Sequence, residues 1–176
     1  MTPRQLFAQL HERPPSEAEG FARRAGAVAQ GPVVAASACL LGIRCRYDGA
    51  AKPLAALADH PDGLTVIPLC PEVLAGLGTP RPPMVFVGGD GASALRGGAV
   101  VLDQQGRDCT AALRNAAETA LVLARAAGCE RVIGKERSPS CGVLQVHTRK
   151  GLIPGSGLFT AVCRRAGLPV IPDEAW

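Results

Sequence analysis

The chain has 176 residues, of which 47% are apolar, 3% aromatic and 19% charged, with a net charge of +4. This is enough for one buried core of Ala, Val, Leu and Ile, and it excludes disorder along the whole length. The charge is too diffuse for a nucleic-acid stripe, no apolar run approaches the ~20 residues of a membrane span, and Met1 to Leu10 lacks a signal-peptide core, so a soluble, cytoplasmic protein is expected.

In chain order, Gln5 to His11 and Ser16 to Ala29 read as helices broken at Pro14-Pro15. Residues 1–31 are expected to form a helical N-terminal appendage, the alternative being a frayed tail, on a main domain of residues 32–176. Val33 to Ala38 is an unbroken apolar run of buried-strand length, and Leu64 to Leu69 is another. Met84 to Val87 and Ala99 to Leu102 follow, the latter ending at the turn Gln104-Gln105-Gly106. Leu113, Ala116, Ala117, Ala120, Leu121, Ala124 and Ala127 recur at helical spacing, with Asp108 or Thr110 as cap and Gly128 at the end. Arg131 to Gly134 is a further strand, Leu158 to Ala166 a shorter helix, and Leu168 to Ile171 the last strand. Strands alternating with helices predict an α/β fold, a mostly parallel sheet flanked by helices in the Rossmann manner.

Seven cysteines without a secretion signal argue against a disulfide scaffold. Cys39 directly follows the first strand and Cys70 the second, while Cys141 lies in the loop after the Arg131 strand, within Arg137-Ser138-Pro139-Ser140-Cys141-Gly142. Sites in open α/β sheets lie beyond the carboxyl ends of the strands, so these three are expected at one edge. The residues around Cys70 and Cys141 are turn formers, Pro71 and Glu72 on one side and Ser, Pro and Gly on the other, which speaks for a site over a core. Cys129 precedes its strand, Cys163 sits in mid-helix and Cys109 opens a helix; these read as core. Cys45 lies on the correct edge and is either a fourth ligand or a loop residue. Zinc usually takes paired ligands such as C-x-x-C, which are absent, and His11, His60 and His147 are scattered. An iron–sulfur cluster accepts dispersed cysteines, and with three of them one iron stays open as a Lewis acid. Spacing favours the cluster without deciding.

Ser37-Ala38-Cys39-Leu40-Leu41-Gly42, Cys45-Arg46-Tyr47-Asp48-Gly49, Cys70-Pro71-Glu72, Thr79-Pro80-Arg81-Pro82-Pro83 and Arg137-Ser138-Pro139-Ser140-Cys141-Gly142 occur in this order. Together they resemble the thiouracil desulfidase family, from about Val33 to the C-terminus. The resemblance implies a [4Fe-4S] cluster on Cys39, Cys70 and Cys141 with one open iron, and removal of sulfur from a thiolated pyrimidine base without net redox change. It implies that Glu72 and Ser138 assist: Glu72 activates water or relays a proton, and Ser138 hydrogen-bonds the base. Each also has a structural reading, Glu72 as the cap of a helix near Val73 and Ser138 as a brace for its loop. A free thiolated base is the expected partner, with no stable nucleic-acid complex and no membrane. Val143 to Gly155, with His147, Arg149 and Lys150, departs from the family pattern, as does Cys109. The rival readings are a zinc or thiolate hydrolase using Cys141 and a cluster-bearing sensor or accessory module, which a fourth cysteine ligand would favour.

Overall fold

Val33–Ser37 (β1) is built from two valines, two alanines and a serine, small residues suited to a strand covered on both faces. In the computed structural model, which describes residues 31–58 and 63–176, β1 runs parallel to Thr65–Leu69 (β2) and to Arg131–Gly134 (β5). Val170–Pro172 (β8) adds to the far side of β5, giving an all-parallel sheet of order β2-β1-β5-β8. The expected α/β fold with a parallel sheet is present.

The remaining strands depart from the expectation of a single sheet. Met84–Val87 (β3) and Val100–Asp103 (β4) pair antiparallel, and β3 also meets Gln145–Thr148 (β6) through Phe86 and Thr148. β6 turns back into Gly151–Pro154 (β7), completing a second, mixed sheet of order β4-β3-β6-β7. This hairpin occupies the stretch that departs from the family pattern. Its strands are short and mostly exposed, so no apolar run announces them.

Among the described residues five α-helices accompany the sheets: Ala55–Ala58 (α1), Pro71–Leu74 (α2), Gly91–Leu95 (α3), Thr110–Ala126 (α4) and Leu158–Arg165 (α5). Along α4 the buried face is Leu113, Ala116, Ala117, Ala120 and Ala124, mostly methyl groups, which lets the helix sit close to its neighbours. Neither expected cap residue holds the N-cap position, which is Cys109 and has no side-chain cap bond: Asp108, one residue earlier, accepts at Oδ1 from Thr110 N at 2.8 Å, and the Thr110 hydroxyl accepts from Val101 N at 2.8 Å, tying α4 to β4. Cys109, Cys129 and Cys163 all lie in the main core with Phe86, Phe159 and Val132. A second apolar cluster, with Leu40, Leu57 and Ile133, also contains Cys39 and Cys45.

Residues 1–30, with the expected Gln5–His11 and Ser16–Ala29 helices, lie outside the described residues. Among the described residues no helix is long and apolar enough to cross a membrane.

Candidate active site

Because the four strands of the first sheet are parallel, their carboxyl ends share one edge. A cavity of about 450 Å³ opens there, lined by Cys39, Cys70 and Cys141 together with Cys45, Glu72 and Ser138. Cys39 sits in a 3₁₀ turn, Ala38–Leu41, that follows β1 and ends at Gly42 with φ 83°. Cys70 is the residue before α2, after β2. Cys141 is carried by the loop after β5. Thus the three cysteines reach the same cavity from three neighbouring strands, and Cys45, left open by the sequence, joins them. Cys109, Cys129 and Cys163 are absent from its lining.

Glu72 lies in the first turn of α2 and is 8% exposed. Its carboxylate is not spent on a helix cap. Oε2 accepts from Arg81 Nε at 2.8 Å and forms an ion pair with Nη2 at 2.5 Å. Oε1 accepts from the hydroxyls of Ser138 at 3.3 Å and Ser140 at 3.1 Å. Arg81, which sequence reasoning quoted but gave no role, also donates from Nη2 to the Cys45 carbonyl at 2.9 Å and from Nη1 to the Gly78 carbonyl at 2.8 Å. The signal for it was a cation set among prolines in an otherwise apolar stretch. Buried ion pairs are costly to break one-sidedly, so Arg81→Leu is expected to lower unfolding stability by about 3–5 kcal/mol, read as a shift of the urea midpoint.

Ser138 has two tasks. Besides donating to Glu72, its oxygen accepts from Ser140 N and Cys141 N, each at 3.1 Å, so it braces the cysteine loop as well. One donor and two lone pairs are then fully engaged. The loop is fixed from outside by the charged residues that lead into it, Lys135, Glu136 and Arg137, and by two acids after β8 that the sequence did not single out, Asp173 and Glu174. Glu136, buried, accepts from the backbone N–H of Val143, Leu144 and Gln145. Asp173, following β8, accepts from Glu136 N at 2.7 Å and pairs with Lys135 at 2.9 Å. Arg137 adopts φ 64°, strained for a residue with a side chain, and its guanidinium pairs with Glu174 at 3.1 Å. Gly157 is required by close approach: a Cβ there would collide with the Ser140 carbonyl. A cation- and ring-bearing rim surrounds the mouth, with Arg46, Tyr47, Lys52 and His147. The Arg46 guanidinium lies 5.6 Å from the Tyr47 ring centre.

The thiols oppose one another's ionisation. Burial pushes Cys39 up to about 11, and the neighbouring Cys70 sulfur adds to the rise. Burial also pushes Cys141 well above its ordinary value, while a hydrogen bond from Ser37 favours the ionised form. Ser37 is positioned by accepting from Lys135 N at 2.9 Å. Burial thus favours the neutral thiols at Cys39 and Cys141, and a bound cation would be what favours their thiolate forms. Among the described residues no three His, Cys, Asp or Glu are grouped around one point as a single ion requires. A cluster takes each thiolate on a separate iron, and soft sulfur donors spread around one cavity suit that donor set. In the metal-free chain the raised thiols give a pH dependence of known sign. Above the ordinary value of 9.0 the unfolded chain releases the Cys39 proton while the folded chain keeps it until about 11. Stability is therefore expected to fall as pH rises through this window, measurable by urea unfolding of metal-free protein.

The parallel sheet of this α/β fold thus brings four cysteines and a caged carboxylate to one cavity at its carboxyl edge. The chain belongs to the 2-thiouracil desulfurase family, whose model matches residues 34–175, and with it to a class of sulfur-removing enzymes. It is 35% identical over 145 residues to the uncharacterized protein YbbK of Bacillus subtilis (strain 168), covering 81% of this chain and 96% of that protein. Among solved structures it is similar to a [4Fe-4S]-dependent thiouracil desulfidase, TudS, at 34% identity and a TM-score of 0.68. That match covers 81% of this chain and 91% of the other.

Proposed function

We propose that this chain converts a thiolated pyrimidine base of the thiouracil type, with water, to the oxo base and sulfide, using a [4Fe-4S] cluster held by Cys39, Cys70 and Cys141. The observation that carries this reading is the convergence of the three cysteines on one cavity beside the caged Glu72. Cys39, Cys70 and Cys141 would hold the cluster, which when bound would supply Lewis-acid activation of a thiocarbonyl toward water. Glu72 Oε1 receives the proton from that water, with Arg81 holding the other oxygen in place. Ser138 turns its hydroxyl from Glu72 toward the base, while Ser140 keeps its bond to the carboxylate. Tyr47 and Arg46, both in the cavity lining, offer an aromatic face and a planar cation against which a pyrimidine ring can stack. Water replaces sulfur at the same oxidation level, so the reaction consumes no electron donor. Seven free cysteines suit a reducing compartment, in keeping with a cytoplasmic enzyme.

The test is anaerobic reconstitution with iron and sulfide, followed by addition of 2- or 4-thiouracil. Uracil and sulfide in equal amounts, with no reductant turning over, is the expected result. An obligatory electron donor, or an intact cluster that releases no sulfide from any thiolated base, would move the assignment to a sensor or accessory module.

A further inference from the structure

We propose that His147 reads the base: its imidazole N–H donates to the carbonyl oxygen that the reaction leaves in place, so the site selects thiolated pyrimidines that also carry an oxo group. The inference rests on the functional reading above and deepens it by assigning a substrate-selecting group. His147 lies on β6, in the stretch that departs from the family pattern, and it lines the cavity together with Ser138. Strand alternation puts it there. Val146 is fully buried in the main core, so the next side chain along β6 turns to the opposite face, where the cavity opens.

The backbone under His147 is held on both sides. β6 pairs with β7 through His147 and Leu152, with β3 through Thr148 and Phe86, and with the loop after β5 through a parallel bridge between Val146 and Arg137. Continued by one residue, that parallel register sets His147 level with Ser138, whose hydroxyl reaches into the cavity to Glu72. Two polar side chains therefore stand abreast on one wall, suited to two neighbouring polar groups on one edge of a pyrimidine. Glu72 is held by Arg81 and two serines, Lys135 by Asp173, Arg137 by Glu174 and Arg46 by Asp48, whereas among the described residues no hydrogen bond or ion pair engages the His147 ring. Tyr47 and Lys52 are also uncommitted, but they stand on the loop after the Cys39 turn and not on a strand. An imidazole keeps an N–H donor whether neutral or charged, and the exocyclic oxygen of an oxo-pyrimidine is the matching acceptor.

The experiment measures equilibrium binding of uracil, and of pyrimidin-2-one, which lacks the second carbonyl oxygen, to the unsubstituted chain, His147→Ala and His147→Gln. Each is tested before and after anaerobic reconstitution, followed by kinetics with 2-thiouracil. The unsubstituted chain is expected to prefer uracil by about three- to tenfold, the usual worth of one hydrogen bond. His147→Ala is expected to bind both bases alike, and to raise KM for 2-thiouracil about three- to tenfold with kcat held within roughly twofold, the mark of an interaction made equally in ground and transition states. His147→Gln retains an N–H donor and is expected to recover part of the preference, with iron and sulfide content equal in all three proteins. A preference for uracil that survives His147→Ala, or no preference in the unsubstituted chain, would overturn the role of His147 and leave the desulfidase reading intact. The expected binding pattern in a chain that releases no sulfide from any thiolated base would uphold that role and overturn the desulfidase reading.

Discussion

Replacing Cys39, Cys70 or Cys141 by Ser, one at a time, is expected to leave a folded chain that holds no intact cluster, whereas Cys129→Ser and Cys163→Ser keep theirs. The first three side chains line the cavity, Cys141 where it borders the main core; the latter two lie in that core and do not reach the cavity. A serine oxygen is a harder and far less acidic donor than a thiol, so it replaces thiolate poorly at iron. The readout is an iron and sulfide count beside the visible spectrum, with circular dichroism to confirm folding. Full iron content in any one of the three serine variants would remove that cysteine from the ligand set. Full content in all three would remove this cavity as the cluster's site.

Glu72→Gln is expected to keep fold and cluster but lose about 10²–10⁴-fold in turnover, the usual range for general acid–base assistance. The amide preserves shape and can still offer its oxygen to Arg81. Its NH₂ then faces the Ser138 and Ser140 hydroxyls, where the carboxylate accepted from both. Ser138 already accepts two backbone N–H bonds, so it has no lone pair to spare and must release one or turn away. The variant therefore loses both the proton acceptor and the alignment of the serine. A loss below roughly tenfold would return Glu72 to a structural role, that of satisfying buried Arg81.

What the sequence made legible follows from physical range. β1, β2 and β5 are apolar because both faces of the parallel sheet are covered, and such runs stand out in a bare sequence. Once these strands are placed, the strand-end rule brings Cys39, Cys70 and Cys141 to one edge without further information. The β6–β7 hairpin escaped because its strands are four residues each and largely solvent-facing. The one-turn helix α3 escaped for a related reason: it is set by local contacts, such as Asp90 accepting from Ser93 N, and not by periodicity, while α2, read only as a helix near Val73, begins at Pro71 and holds Glu72 inside its first turn. The cage around Glu72 was hidden because its partners are remote, Ser140 being 68 positions away. Asp173 was the most recoverable omission, since it follows a strand at the same edge as the cysteines and bonds to Glu136, 37 positions earlier.

The parallel register of β2, β1 and β5 has a consequence for how the protein matures. Parallel neighbours cannot be joined by a tight turn, and here β1 meets β5 only after both β2 and the whole of α4 have been made. The thiols of Cys39 and Cys141 are therefore strangers during synthesis and become neighbours only when the sheet closes. On the ligation proposed above, iron delivery would meet a finished fold, since no partial chain would offer all three proposed donors. Cells starved of iron should accordingly accumulate an intact, fillable protein, and activity should return on resupply of iron and sulfide without new translation.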